Sequence, residues 1–361
     1  MFTLFNIGKP IFRHINNLPN TAENFGTTYK TITINKTYVP TTQTNCVIML
    51  KASLLGAGFF TALGSGGSPR FTLSDGVTQL PHEKVYLTTG SSKGYYKILV
   101  PTVNGTASGS STAIRVYYSN ALSDLAATAT YGRNAVWANN YKIVQNLQMT
   151  PDLVQTNSTG NSTYDMTSFA AISSAKVTTA GYGEGNAHVY DSTSAGFKTS
   201  NPVSAYPFTM GCLFKTPNNA EDESHMIGLT DADSTSMRSM RKFGLKSTKL
   251  LYSWIDNSLS DSANFSGVGN TSWNLGVVVF ESATSRKVYF NNNTVATNTN
   301  SISYAAGLDT FCLMKMDLGT DQPNFGVFNI QDVFLMDAVM SADRITTLYN
   351  NYFQASFFTI T

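Results

Sequence analysis

The strongest constraint on this chain's fold is a series of strand-length apolar runs divided by polar turns, clearest near the C-terminus. Leu275–Phe280 and Lys287–Phe290 are apolar or β-branched runs, separated by a polar turn and closed by Asn291, Asn292 and Asn293. That is a hairpin-like pattern. Val333–Met336 follows as a short strand, and Ser341 then opens a helix. The Ser341 hydroxyl can cap free N–H groups of the first turn, while Asp343 complements the positive end of the dipole. Earlier in the chain Tyr29–Ile34 alternates, Cys46–Leu50 is an apolar run, and Lys93–Val100 and Thr112–Tyr118 are strand-like. Glycine and proline clusters at Gly64–Pro69 and Asn104–Ser110 punctuate them. This spacing predicts an all-β chain of antiparallel sandwiches, with a helix only near Ser341–Asn351.

Composition narrows the function classes. The 361 residues suffice for two domains, and 42% hydrophobic content supports real cores. Charged residues make up 13%, about half the usual share. A net charge of +2 offers no electrostatic footprint for a phosphate backbone, so no nucleic-acid partner is expected. The longest weakly polar stretch, Ala52–Gly64, is glycine-broken and too short to span a bilayer. The start lacks the basic region, apolar core and cleavage site of a secretory signal. Cys46, Cys212 and Cys312 are too few and scattered for a disulfide framework or zinc cluster and read as buried free thiols, although Cys212 and Cys312 share one domain.

The order Trp273, strand, turn, Lys-Val-Tyr-Phe-Asn (287–291), then Asp-Val-Phe-Leu (332–335) and Met-Ser-Ala-Asp-Arg-Ile (340–345) resembles the end of a laminin-G or concanavalin-like jelly roll. That fold mostly binds, and only sometimes cuts, carbohydrate. Upstream, YKTITIN, RFTLSDGVTQLPHE, STAIRVYYSN and AVWANNYKIVQNL look like small β-sandwich domains of undefined function. Such domains commonly precede laminin-G-like domains in bacteriophage structural and bacterial surface proteins. The implied organisation is an N-terminal docking arm (1–26), a small β-sandwich (27–140) and a jelly roll (141–361). An alternative for the arm is a strand that completes the following domain.

Jelly-roll glycosidases need two carboxylates on one strand face. Glu221-Asp222-Glu223 is consecutive rather than alternating, so no enzyme is expected. Asp231 and Asp233 alternate but read first as a turn. Together with Asp165, which matches a loop of the resembled family, they form the calcium candidates. Gln331 stands where many relatives place a second acid beside Asp332, which breaks that pattern. The histidines, His14, His82, His188 and His225, have no metal-binding spacing. Sugar rings stack on exposed aromatics, and Tyr252 and Trp254 flank a loop rich in Asn, Ser and Gly. Tyr252, Trp254, Asn257 and Asn264 are therefore the glycan-binding candidates. Tyr252 and Trp254 alternate on one face, as core residues also would, while Trp273 matches a core-packing tryptophan.

Together these features point to a virion structural protein, from a bacteriophage. It would dock on other virion proteins through its arm and first domain, in many copies or as a homo-oligomer, and present a lectin-like domain to host-surface glycans. Its location would be the particle surface. The alternatives are a purely architectural capsid or tail decoration protein and a bacterial cell-surface adhesin. No cofactor other than calcium is implied.

Overall fold

The computed structural model describes residues 25–148, 154–169, 177–178, 181–190, 196–216, 224–232, 240–246, 250–255, 258–266, 272–304, 307–314 and 328–361. The first unit holds β1 (Tyr29–Ile34), β2 (Gln43–Lys51), helix α1 (Ala57–Leu63), β3 (Ser68–Leu73), β4 (Gln79–Leu80), β5 (His82–Thr88), β6 (Lys93–Val103), β7 (Thr112–Ser119) and the short helix α2 (Arg133–Val136). There follow β8 (Tyr141–Gln145), β9 (Thr167–Ser168), β10 (Val177–Thr178), β11 (Ala187–Tyr190), β12 (Phe197–Ser200), β13 (Phe208–Lys215), β14 (Ser224–Thr230), β15 (Met240–Lys246), β16 (Leu250–Ile255) and β17 (Ser258–Ser266). The chain ends with β18 (Asn274–Ser282), β19 (Ser285–Phe290), β20 (Asn293–Asn298), β21 (Thr310–Leu313), β22 (Phe328–Met336), helix α3 (Ala342–Phe353) and β23 (Phe358–Ile360).

These strands form four antiparallel sheets stacked as layers. A five-stranded sheet (β23-β1-β7-β3-β4) faces a three-stranded one (β2-β6-β5). An eight-stranded sheet (β10-β11-β22-β13-β18-β19-β20, with β8 also on β22) faces a seven-stranded one (β17-β16-β15-β14-β21-β12-β9). Side-chain alternation explains the stacking. On β2, Cys46, Ile48 and Leu50 enter the core of the first sandwich, while Val47 and Met49 pack into a middle core shared with the second. On β18, Val278 and Phe280 enter the core of the second sandwich, and Leu275, Val277 and Val279 enter that same middle core. The two central sheets are thus buried on both faces, which is why their strands read as unbroken apolar runs. Burial of one such Val or Phe contributes roughly 1.5–3 kcal/mol.

The expectation of a helix only near Ser341–Asn351 is too narrow. Ala57–Leu63 is also helical, opened at Gly56 (φ 76°) and closed at Gly64 (φ 59°). Seven residues are too few to show a helical period. The helix instead plugs the first core with Phe59, Phe60 and Leu63, and Phe59 meets Tyr118 edge-on with centroids 5.2 Å apart. The predicted C-terminal helix is present, with Ser341 Oγ accepting the Arg344 N–H at 3.2 Å.

The last elements return to the first unit. β23 pairs with β1, with Ile32 opposite Ile360, and Phe357 is fully buried in the first core. Helix α3 covers the free edge of β2. The Asn351 side-chain amide accepts the Met49 N–H (2.6 Å) and donates to the Met49 carbonyl (2.9 Å), while Arg344 donates to the Thr44 and Asn45 carbonyls. Side chains on α3 thus occupy backbone groups that an edge strand would otherwise expose. The arm Met1–Gly26 lies almost wholly outside the described residues. Phe25, at its end, is buried against Tyr117 (centroids 5.6 Å).

Candidate functional site

Backbone register fixes where the glycan candidates fall. Ser253 lies opposite Ala263 and Phe243, Phe243 opposite Ile227, and Ile227 opposite Leu313. Ala263, Ile227 and Leu313, three positions of this row, are buried in the core of the second sandwich. The alternate register rows carry Tyr252 opposite Gly244 and Asn264, and Trp254 opposite Lys242, which pairs in turn with Gly228. Two aromatic positions, an amide and two glycines therefore lie close together on β14–β17. Asn257 lies outside the described residues. The centre of the same sheet is filled: His225, Thr230 and Cys312 are buried.

The calcium candidates divide. Asp165 Oδ1 accepts the Asn157 N–H at 2.7 Å, Asp231 is half-buried at the end of β14, and Asp233 lies outside the described residues. Among the described residues no three His, Cys, Asp or Glu side chains are grouped to hold a metal ion. Glu221, Asp222, Glu223 and His14 also lie outside. His82, His188 and His225 are buried, and burial draws His82 down to about 4. All three cysteines are free and buried. Trp273 is half-buried against the middle core.

The feature that sequence reasoning missed is a buried polar network between the two sandwiches. Asp332 sits at φ 51° on β22, where the pairing with β13 shifts register. Aspartate tolerates this left-handed geometry better than a β-branched residue would. The bulge lets consecutive residues, Gln331 and Asp332, both enter the seam between the units. Lys97 Nζ donates to Asp332 Oδ1 (2.9 Å) and to Asn146 Oδ1 (2.5 Å). Tyr352 donates to Asp332 Oδ2 (3.0 Å), and Gln331 Nε2 donates to the Tyr95 hydroxyl (3.0 Å). One step away, Glu83 accepts from Trp137 Nε1, Asn146 Nδ2 and Ser158 Oγ at 2.7–2.8 Å. The carboxylates and the ammonium are each almost fully buried. Charges so enclosed persist only when paired and hydrogen-bonded. The sequence signal was available in the isolated Lys97 and Glu83 inside strand-like runs, since such residues are rarely buried without partners.

Burial pushes the Glu83 carboxyl above its ordinary value of 4.5, and the neighbouring Lys97 charge and the Ser158 and Trp137 hydrogen bonds only partly oppose this. A carboxyl whose folded value is raised binds its proton more tightly in the folded state, so stability falls as pH rises from about 4.5 toward the raised value. Denaturant unfolding of the wild type and Glu83→Gln across this range should show the wild type losing stability relative to the variant as pH rises. A pH-independent difference would contradict the assignment.

Among the described residues no helix is long and apolar enough to cross a membrane. No protein-family model and no curated protein matches the chain. Among solved structures it is similar to the CBM40 module of Ruminococcus gnavus IT-sialidase bound to alpha2,3 sialyllactose, at 13% identity and TM-score 0.36, covering 40% of this chain and 84% of that one. It is also similar to the binding domain of Botulinum neurotoxin DC in complex with SialylT (10% identity, TM-score 0.43) and to that of Paraclostridial Mosquitocidal Protein 1 (12%, 0.43). Each of these matches covers 60% of this chain. The chain spans about half the length of the two toxin binding domains. Likenesses of this size assign neither a family nor a ligand.

Proposed function

We propose that this protein is a non-catalytic carbohydrate-binding protein of a virion surface. The first sandwich is its mount and the β15–β17 end of the second its glycan contact. The observation that carries the reading is the register at β16: Tyr252 and Trp254 alternate with Ser253, whose partner Ala263 is buried in the core, and Asn264 lies opposite Tyr252. Aromatic positions beside an amide suit the apolar face and the hydroxyls of a sugar ring. Binding at one such site is weak, because sugar and protein exchange water hydrogen bonds for each other at little net gain. Display in many copies supplies the avidity.

The mount is supported by an aromatic cluster where the arm enters. Tyr29 is 44% exposed, stands 5.2 Å from Tyr117 and carries the Arg115 guanidinium 4.8 Å above its ring. Tyrosine and arginine are, with tryptophan, the residues enriched at the energetic centres of protein interfaces.

The test is a multimerised protein applied to immobilised glycans and host cells. Tyr252→Ala and Trp254→Ala are each expected to weaken retention about tenfold or more, with unchanged unfolding. Retention unaffected by both substitutions would remove this site. Absence of the chain from purified particles would remove the virion assignment.

A further inference from the structure

A second concavity lies on the opposite side of the second sandwich, along the seam. It is an open groove of about 450 Å³ between the start of β2, the turn from α2 to β8, and the segment joining β22 to α3. Thr44, Asn45, Asn139, Asn140, Tyr141 and Arg344 are among its lining residues, and the rest add mainly hydroxyl and amide groups with two methionines and a valine. The α2–β8 turn and the β2 start take their shape from Asn140 (φ 62°) and Asn45 (φ 49°), both in the left-handed region. Those residues have a bland role as turn formers, which asparagine performs well. That role uses their backbones. Among the described residues, the side-chain amides of Asn45, Asn139 and Asn140 bond to no protein group, so three donor–acceptor pairs remain free beside one cavity.

Among the described residues, Arg344 is the sole charged one lining the groove. Its two terminal nitrogens hold the Thr44 and Asn45 carbonyls at 3.3 and 2.7 Å, which fixes the guanidinium in place. An arginine carries five N–H donors, and with a further bond to the Tyr141 side chain two remain for a ligand. Two acids lie nearby: Asp343 accepts from Oγ1 of the groove-lining Thr41 (2.8 Å), and Asp337 pairs with Lys142 (2.8 Å). Among the described residues no carboxylate is part of the groove lining itself.

We propose that this groove is a second carbohydrate site, selective for an acidic oligosaccharide. The three asparagine amides would take its hydroxyls and Arg344 its carboxylate. Both sandwiches and α3 contribute to the groove, so the site exists only in the assembled chain. The inference does not depend on the β15–β17 site.

The experiment is a titration of the full chain, followed by NMR and calorimetry, with three acidic probes (hexagalacturonate, a hyaluronan hexasaccharide and a sialylated lactose) and with neutral maltohexaose. At least one acidic probe is expected to bind at millimolar concentration, and maltohexaose about tenfold more weakly or not at all. Thr44→Trp and Asn139→Trp, which fill the groove, are expected to abolish that binding while leaving thermal unfolding in place. Arg344→Met is expected to erase the preference for acid, and Tyr252→Ala and Trp254→Ala to change nothing. If no acidic probe binds, or if the groove-filling variants bind as the wild type does, the proposal is overturned. Loss of binding in Tyr252→Ala but not in Asn139→Trp would move the ligand to the other site.

Discussion

Asp332→Asn lowers the unfolding free energy by about 3 kcal/mol, because it leaves the Lys97 ammonium buried without its nearest counter-charge. Asparagine is the informative replacement. It keeps the left-handed backbone that position 332 requires (φ 51°) and the acceptor that faces Lys97, so that backbone strain does not mimic the charge effect. Glu83 lies beyond Asn146 and cannot substitute fully, since its own charge is disfavoured by burial. The double variant Lys97→Met/Asp332→Asn should recover most of the loss, as removing both members of a buried pair does. Equilibrium denaturation in guanidinium checks both. An Asp332→Asn loss below about 1 kcal/mol would show that the pair is not what holds the seam polar network in register.

Much of the layered fold was legible in the sequence, and the reason lies in strand periodicity. Phe208, Met210, Cys212 and Phe214 alternate as the sequence indicates, and all four enter the core of the second sandwich. The Ser341 cap and the hairpin at 275–290 are present as the turn chemistry requires. What periodicity could not show is which surface an apolar face meets. Val277 and Val279 are as apolar as Val278, and only the assembled sheets show that one set faces the other sandwich. The buried network was hidden for a related reason: Glu83, Lys97 and Asp332 lie far apart in sequence and acquire meaning only as neighbours. The glycan candidates Tyr252 and Trp254 were visible as a pair, and the register adds their neighbours, Gly244 and Asn264 opposite Tyr252 and Lys242 opposite Trp254.

A chain cut after residue 340 should lose the fold of its first sandwich as well as its own C-terminus. A split at residues 140 and 141 would lead to the opposite expectation, an independent 27–140 domain. Yet the five-stranded sheet is completed by β23, the first core by Phe357, and the edge of β2 by Asn351 and Arg344. Phe357→Ala alone is expected to cost about 3–5 kcal/mol, the price of a cavity in place of a fully buried ring. Removing the whole segment adds the loss of the β1–β23 pairing and leaves the Met49 backbone groups without partners, each worth about 1–3 kcal/mol when buried and unpaired. The sum is comparable to the total stability of an ordinary domain, about 5–15 kcal/mol. The isolated 27–140 fragment should therefore show no cooperative unfolding and little near-ultraviolet circular dichroism. Adding residues 341–361 as a separate peptide to the chain cut after residue 340 should restore the first sandwich, because that chain keeps the middle-core face and the partners of Lys97 and Glu83 that the second sandwich supplies. A 27–140 fragment that folds cooperatively without that segment would show that the returning helix and strand merely decorate the first sandwich.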